Sequence, residues 1–208
     1  MANFSSLKNI VFDLGGVILD LNVSATLEAF LEMGFPGELL NYPENFHTDV
    51  FYNYETGKTS TSEFRDAIRK IAGLNFSNGE FDHAWNAMLA RVPKKRIGIL
   101  KSLSSHYKLY ILSNTSPLHI EKFTAMFRDA AGFELNEVFS GCYYSYETGL
   151  HKPDAESFQF VLKDAKILAQ ETLFLDDNIH NVKAAKELGF NVIHISDNLK
   201  MENVGYDR

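Results

Sequence analysis

The sequence lacks the features that mark secreted, membrane and nucleic-acid-binding proteins. Its 208 residues include one cysteine, Cys142, so an intrachain disulfide cannot form. No apolar run approaches the roughly 20 residues that span a bilayer, and the first residues lack the basic-then-apolar pattern of a secretory signal. Lysine and arginine number 20 against 27 aspartate and glutamate, a net charge of −7, which argues against a nucleic-acid partner. We therefore expect a cytoplasmic protein without a membrane or nucleic-acid partner.

Short apolar runs alternate with helical patterns along most of the chain, which predicts an α/β fold with a parallel sheet. Several runs are continuously apolar, as expected of strands covered on both faces. The predicted strands are Asn9–Phe12, Lys108–Leu112, Glu137–Cys142, Thr172–Leu175 and Asn191–Ile195.

Two helices are predicted between the later strands. One has Pro153 in its first turn, and apolar residues follow at the spacing of one helical face; they are Phe158, Val161, Leu162 and Ala165. The other runs from about Ile179 to Leu188 and ends at Gly189.

The segment from about Leu21 to Pro93 contains helical patterns and no convincing strand. Capping boxes start at Ser60 and Ser77, and the second is followed by an apolar face that continues through Leu89 to Val92. A connection between parallel strands needs only a dozen residues or somewhat more. We therefore predict a Rossmann-like core made of residues 1–20 and 94–208, with residues 21–93 inserted as an all-α subdomain.

Polar residues follow several predicted strands at their carboxyl ends, where open parallel sheets place their functional groups. These residues are Asp13, Ser113, Lys152, Asp176 and Asp177. Taken singly, each has a structural explanation, such as a turn, a helix cap or a solvated lysine. Together they place three carboxylates beside a lysine. Carboxylate oxygens are the ligands that Mg²⁺ prefers. The set predicts a magnesium and phosphate site.

Four motifs in this sequence resemble those of the haloacid dehalogenase (HAD) superfamily, in the family's order. Ile10–Asp20 resembles the first motif, an apolar strand that ends in an aspartate. Leu112–Asn114 resembles the second, Gly149–Asp154 the third with its lysine, and Phe174–Asn178 the fourth with its acidic pair. The D-L-G-x-V form of the first motif looks like the subgroup that includes bacterial glucose-1-phosphate phosphatases. The resemblance implies a HAD core whose helical insertion is the family's cap domain.

The resemblance implies that the enzyme is a Mg²⁺-dependent phosphoric monoester hydrolase. Asp13 would be both the nucleophile, forming an aspartyl-phosphate, and a metal ligand. Gly15 would bind Mg²⁺ through its backbone carbonyl, Asp177 directly, and Asp176 directly or through water.

The same resemblance assigns phosphate contacts to the second and third motifs. Ser113 would hold a phosphoryl oxygen, with Asn114 also in the substrate site. Lys152 would pair with the nucleophile and the phosphate. The implied partner is a small phosphorylated metabolite, and the sequence is compatible with a monomer or a homodimer.

One position departs from the family's pattern. The second aspartate of the first motif, which protonates the leaving oxygen and later activates water, is replaced by Gly15. Loss of a general acid/base typically lowers a rate about 10²–10⁴-fold. Hydrolysis of an ester with a good leaving group, such as a sugar 1-phosphate, would be slowed least. We therefore expect a sugar phosphate. Asp20 is a candidate substitute proton carrier, although a role in shaping the loop fits it better.

Two other functions fit the same fold. A 2-haloacid dehalogenase uses its aspartate to attack carbon without a metal, but it has no need of the acidic pair Asp176 and Asp177. A non-catalytic module that binds phosphate esters would fit the loss of the acid/base at position 15. Within the insertion, Tyr54 and Glu55 are candidates for substrate contact.

Overall fold

The structure, a computed structural model of the chain, describes residues 6–37 and 49–206. Its centre is a five-stranded parallel sheet with the spatial order β5-β4-β1-β6-β7. The strands are β1 (Asn9–Phe12), β4 (Lys108–Ser113), β5 (Phe139–Tyr144), β6 (Thr172–Asp176) and β7 (Asn191–His194). All five predicted strands are therefore confirmed, with ends that differ by at most two residues.

The central strands are covered on both faces, which explains why they read as continuous apolar runs. In β1, Ile10 and Phe12 pack on one side of the sheet and Val11 packs on the other. Successive side chains of a strand point to opposite faces, so each residue meets a different layer of helices. The helices of this core are α5 (Lys94–Ser104), α6 (Pro117–Ala131), α7 (Ser145–Thr148), α8 (Ala155–Ala165) and α9 (Ile179–Glu187).

The two predicted core helices are present, with one correction. Phe158 and Val161 of α8 are buried against the sheet as expected, and α9 is followed by Gly189 at φ +88°. Pro153, however, is not in the first turn of α8, because the helix begins at Ala155 with Asp154 as its N-cap.

Between β1 and α5 the chain forms a helical insertion, defined here as the elements from β2 to β3. These elements are β2 (Asp20–Leu21), α1 (Val23–Glu32), α2 (Asp49–Glu55), α3 (Thr61–Ala72), α4 (Asn78–Asn86) and β3 (Leu89–Arg91). Both predicted capping boxes are confirmed, at Ser60 and Ser77. The insertion has its own aromatic core around Phe64, Phe81 and Trp85.

The insertion is not purely helical, which corrects the prediction. The strands β2 and β3 pair antiparallel where the chain enters and leaves it, and Arg91 forms an ion pair with Asp20 across this ribbon. Helix α4 ends at Asn86. Leu89 and Val92, which were predicted to continue its apolar face, therefore lie beyond the helix. A two-residue and a three-residue strand are too short to show an alternating pattern, so only the pairing of distant segments reveals them.

Among the described residues, no helix is both long and apolar enough to cross a membrane.

Candidate active site

Strands β1, β4 and β6 are neighbours in the sheet, so the residues after their carboxyl ends meet at one edge. The backbone N–H of Asp13 donates to the carbonyl of Leu175 at 2.8 Å, which fixes the residue after β1 against β6. Ser113 ends β4 and Asp176 ends β6. The topology alone thus gathers the residues that the sequence singled out.

Lys152 joins this cluster from the loop before α8. Its Nζ donates to Asp13 Oδ1 at 2.7 Å, to Asp176 Oδ2 at 2.7 Å and to the carbonyl of Leu112 at 2.8 Å. The side chain is 1% exposed. A buried ammonium is tolerated only when it is paired and hydrogen-bonded, and here all three of its protons have acceptors.

Burial and the neighbouring charges together shift the pKa values of the cluster's members. Burial raises the pKa of Asp13 to about 7, against the opposing effect of Lys152, and Asp176 adds to the increase. Burial also raises the pKa of Asp177, helped by Asp176. Burial lowers the pKa of Lys152, but the two carboxylates in contact with it outweigh that effect and hold it above its usual value. One ammonium faces three carboxyl groups, so the cluster retains an excess of negative charge.

This excess, together with the arrangement of oxygens, fits a divalent cation. One oxygen each from Asp13, Asp176 and Asp177 lie within 4.8 Å of one another, and carboxylate oxygens are the ligands that Mg²⁺ prefers. In the turn after Asp13, the carbonyl of Gly15 accepts no hydrogen bond from the residues that the structure describes. It is therefore available as a further oxygen ligand.

Asp176 has little capacity left for a metal. Its Oδ1 accepts from the backbone N–H of Asn178 at 2.7 Å and from Asn181 Nδ2 at 3.1 Å, and its Oδ2 accepts from Lys152 and again from Asn181. Asn181, in the first turn of α9, was missed by the sequence analysis. The only sequence signal for this contact is its position five residues after Asp176. A helix that starts at Ile179 turns the Asn181 side chain back toward the end of β6.

Asp177 is the exposed member of the acidic group, and it packs against Gly16. A Cβ atom at position 16 would lie 2.8 Å from Asp177 Cγ and would overlap the carboxylate oxygen. Gly16 also has φ +70°, a conformation that strains other residues. The absence of a side chain at Gly16, in the first motif, thus lets the Asp177 carboxylate of the fourth motif pack against its backbone.

The two residues of the second motif have different surroundings. Ser113 is buried, and its hydroxyl has no hydrogen-bond partner among the described residues, so it is free to bind a ligand. The Asn114 amide is occupied: its Nδ2 donates to the Lys152 carbonyl at 2.7 Å, and its Oδ1 accepts from the Lys152 N–H at 2.8 Å. Asn114 thereby fixes the backbone that carries the lysine.

A cavity of about 350 Å³ opens between this edge of the sheet and the helical insertion. Ser113, Asn114 and Gly15 line its floor, and Glu55 of α2 lines the opposite side. Tyr54 does not line it, since its ring is fully buried in the aromatic core of the insertion. Of the two predicted contact residues, therefore, Glu55 faces the cavity and Tyr54 was a wrong prediction.

Asp20 does not take part in this site. Its carboxylate pairs with Arg91 at 3.0 Å and with Arg96 at 2.9 Å. These contacts fit the interpretation that Asp20 shapes the entry to the insertion.

Comparison with known proteins shows that most of the chain matches one family. The family model described as haloacid dehalogenase-like hydrolase matches residues 7–189. The chain is 34% identical over 184 residues to a D-ribitol-5-phosphate phosphatase from Bacteroides thetaiotaomicron. The aligned region covers 88% of this chain and 89% of that protein.

Solved structures agree with this match. A HAD family enzyme from B. thetaiotaomicron, in complex with magnesium and inorganic phosphate, has a TM-score of 0.84 and 36% identity; the match covers 90% of this chain and 93% of that one. A predicted HAD-like hydrolase from Porphyromonas gingivalis has a TM-score of 0.82 and 29% identity, covering 91% of each chain.

Proposed function

The chain belongs to the haloacid dehalogenase-like hydrolases, and on this premise we propose that it is a Mg²⁺-dependent phosphatase of a small sugar or sugar-alcohol phosphate. The observation that carries the proposal is the contact of Lys152 Nζ with Asp13 and Asp176 beside Asp177. This geometry supplies a nucleophile, an internal cation and a set of metal ligands next to the floor of one cavity. The phosphatase relative from B. thetaiotaomicron supports the choice of reaction.

Asp13 is the nucleophile. One carboxylate oxygen is held by Lys152, and the other attacks phosphorus while the bond to the ester oxygen breaks. The products are an aspartyl-phosphate and an alcohol that takes a proton from solvent. Water then attacks the phosphorus, releasing inorganic phosphate and restoring the carboxylate.

Asp13, Asp177 and the carbonyl of Gly15 would hold Mg²⁺, with Asp176 acting through water. Asp176 has both oxygens engaged by Lys152, Asn178 and Asn181, so positioning the lysine is its main task. Bound Mg²⁺ supplies positive charge that offsets the charge on the phosphoryl oxygens.

Ser113 and Lys152 hold the phosphoryl group, the first by its unpaired hydroxyl and the second by charge. Asn114 contributes by fixing the Lys152 backbone. Residues 21–93 act as a cap over the core formed by residues 1–20 and 94–208, because the cavity lies between the two.

A panel of phosphate esters assayed with and without Mg²⁺ tests this function. We expect phosphate release from hexose 1-phosphates and from sugar-alcohol phosphates, and loss of release with EDTA. The panel includes both classes because D-ribitol 5-phosphate, named for the relative, is an ester of a primary alcohol. Release of halide from a 2-haloacid in the presence of EDTA would instead support a dehalogenase.

Substitution of Gly16 by alanine is expected to weaken Mg²⁺ binding about tenfold or more. The added Cβ would displace the Asp177 carboxylate, and ligand position decides affinity at such a site. Titration calorimetry with Mg²⁺ measures the effect. The control is Gly73→Ala, at φ +65° with open space around it: it carries similar backbone strain but is expected to leave Mg²⁺ affinity unchanged. Equal affinities in the two variants would contradict the assignment of Asp177.

Substitution of Gly15 by aspartate is expected to raise kcat for esters of ordinary alcohols about 10²-fold, because it restores a general acid/base. The position can accept a side chain: the nearest atom to its Cβ would be Leu21 Cδ1, at 2.8 Å, and that flexible side chain is 38% exposed. Gly15→Asn has the same size without a titratable group, so it should show no gain. Equal rates for the two variants would contradict the assigned role of this position.

A further inference from the structure

The part of the cavity beyond the phosphoryl site carries acidic groups and, in the part of the chain that the structure describes, no lysine or arginine. Among the described lining residues, Asp49 and Glu55 are acidic, and none is lysine or arginine. Lys58 lies 5.0 Å from the ring centroid of Tyr52 but does not line the cavity.

Glu55 is held at the cavity wall by His151, the neighbour of the catalytic lysine. His151 Nε2 lies 3.3 Å from Glu55 Oε2, and His151 Nδ1 lies 3.0 Å from Asn114 Nδ2. Asn114 is oriented by the Lys152 backbone, so its Nδ2 is a donor and His151 Nδ1 must accept. The ring proton therefore sits on Nε2 and is donated to Glu55.

The His151 ring thus faces Glu55 with an N–H donor and faces Asn114 with a nitrogen lone pair. A proton on His151 Nδ1 would bring two donors face to face with Asn114 Nδ2. Burial lowers the pKa of His119, the other histidine among the described lining residues. Glu55 Oε1 has no hydrogen-bond partner among the described residues, so it can accept from a ligand hydroxyl.

Much of the remaining wall is apolar. It includes Leu21, Val23, Leu27, Met88 and Leu89. A carbon chain with hydroxyls along one edge fits a pocket that has an apolar wall and carboxylate acceptors. A second anionic group would instead meet Glu55, with no lysine or arginine among the described lining residues to pair with.

We propose that Glu55, positioned by His151, selects phosphate esters whose alcohol part is uncharged and hydroxylated, and that it rejects esters carrying a second anion. This inference rests on the proposed phosphatase function and names its substrate class. It makes Glu55 a specificity-determining residue and His151 a positioning residue that acts through it.

A matched pair of substrates tests the proposal. Sorbitol 6-phosphate and 6-phosphogluconate differ at the end remote from phosphate, where a CH₂OH group is replaced by a carboxylate. We expect wild-type kcat/KM to favour the neutral ester about tenfold or more. Glu55→Gln keeps the shape and can still accept from His151, and it should reduce that preference about tenfold, mainly through KM for the acid. Glu28→Gln, an exposed change on α1 outside the cavity with the same loss of charge, should leave the ratio unchanged.

p-Nitrophenyl phosphate, assayed in parallel, distinguishes failure of the specificity role of Glu55 from failure of the proposed phosphatase function. Mg²⁺-dependent release from it, with an equal ratio in wild type and Glu55→Gln, would overturn the specificity role and leave the proposed function standing. Equal wild-type activity on both sugar esters would also overturn it. Absence of Mg²⁺-dependent release from every ester would contradict the proposed function, and the inference with it.

Discussion

Replacement of Asp13 by asparagine should lower kcat by about 10⁴-fold or more, because the attacking oxygen is lost. The amide has the size of the carboxyl group, so the cavity keeps its shape. One oxygen remains to accept from Lys152, and the fold should persist. Phosphate release under saturating Mg²⁺ measures the loss, and circular dichroism checks that the variant is folded.

Asp20→Asn is the matched control for Asp13→Asn. It removes an aspartate only seven residues later, one that pairs with Arg91 and Arg96 rather than with the cluster. Arg96 keeps its contact with Glu202, so the structural cost should be modest. We expect this variant to retain most of its activity. A comparable loss in both variants would revive Asp20 as the proton carrier and weaken the case for a unique nucleophile.

Replacement of Lys152 by methionine should affect both stability and activity. It leaves Asp13 and Asp176 buried together without their cation, which typically costs about 3 kcal/mol of unfolding free energy or more. Activity should fall about 10³-fold, since the charge facing the phosphoryl oxygens is lost. Urea denaturation in the absence of Mg²⁺ measures the first effect, and the phosphatase assay the second.

A second substitution separates these two effects. Asp176→Asn, added to Lys152→Met, removes one of the two stranded carboxylates and should restore at least half of the lost stability but none of the activity. Lys163→Met, an exposed change on α8, should alter neither. Normal stability of Lys152→Met would contradict the view that the lysine is the internal counterion of the cluster.

The fold was predictable where burial leaves a periodic pattern in the sequence. The strands β1, β4 and β6 are buried on both faces, so their apolar runs are unbroken. The capping boxes at Ser60 and Ser77 are local signals that need no partner elsewhere. The ribbon of β2 and β3 escaped prediction because it depends on Asp20 meeting Arg91, 71 residues later.

The site was predictable to the extent that it follows from strand ends. Asp13 and Asp176 are brought together by the parallel sheet, and the third motif places Lys152 beside them. Contacts between loops left no such signal. The contacts of Asn114 with the Lys152 backbone and of His151 with Glu55 join segments that are distant in the sequence, and a single sequence does not reveal which segments face each other.

The most direct test of the account is detection of the phosphorylated enzyme. Position 15 is glycine, which cannot activate water, so hydrolysis of the aspartyl-phosphate should be slow and the intermediate should accumulate. We predict that rapid acid quenching during turnover with Mg²⁺, followed by borohydride reduction and peptide mass spectrometry, locates the modification on Asp13, and that EDTA abolishes it. Phosphate release at full rate with Asp13 unmodified throughout, or modification of a different residue, would contradict the account.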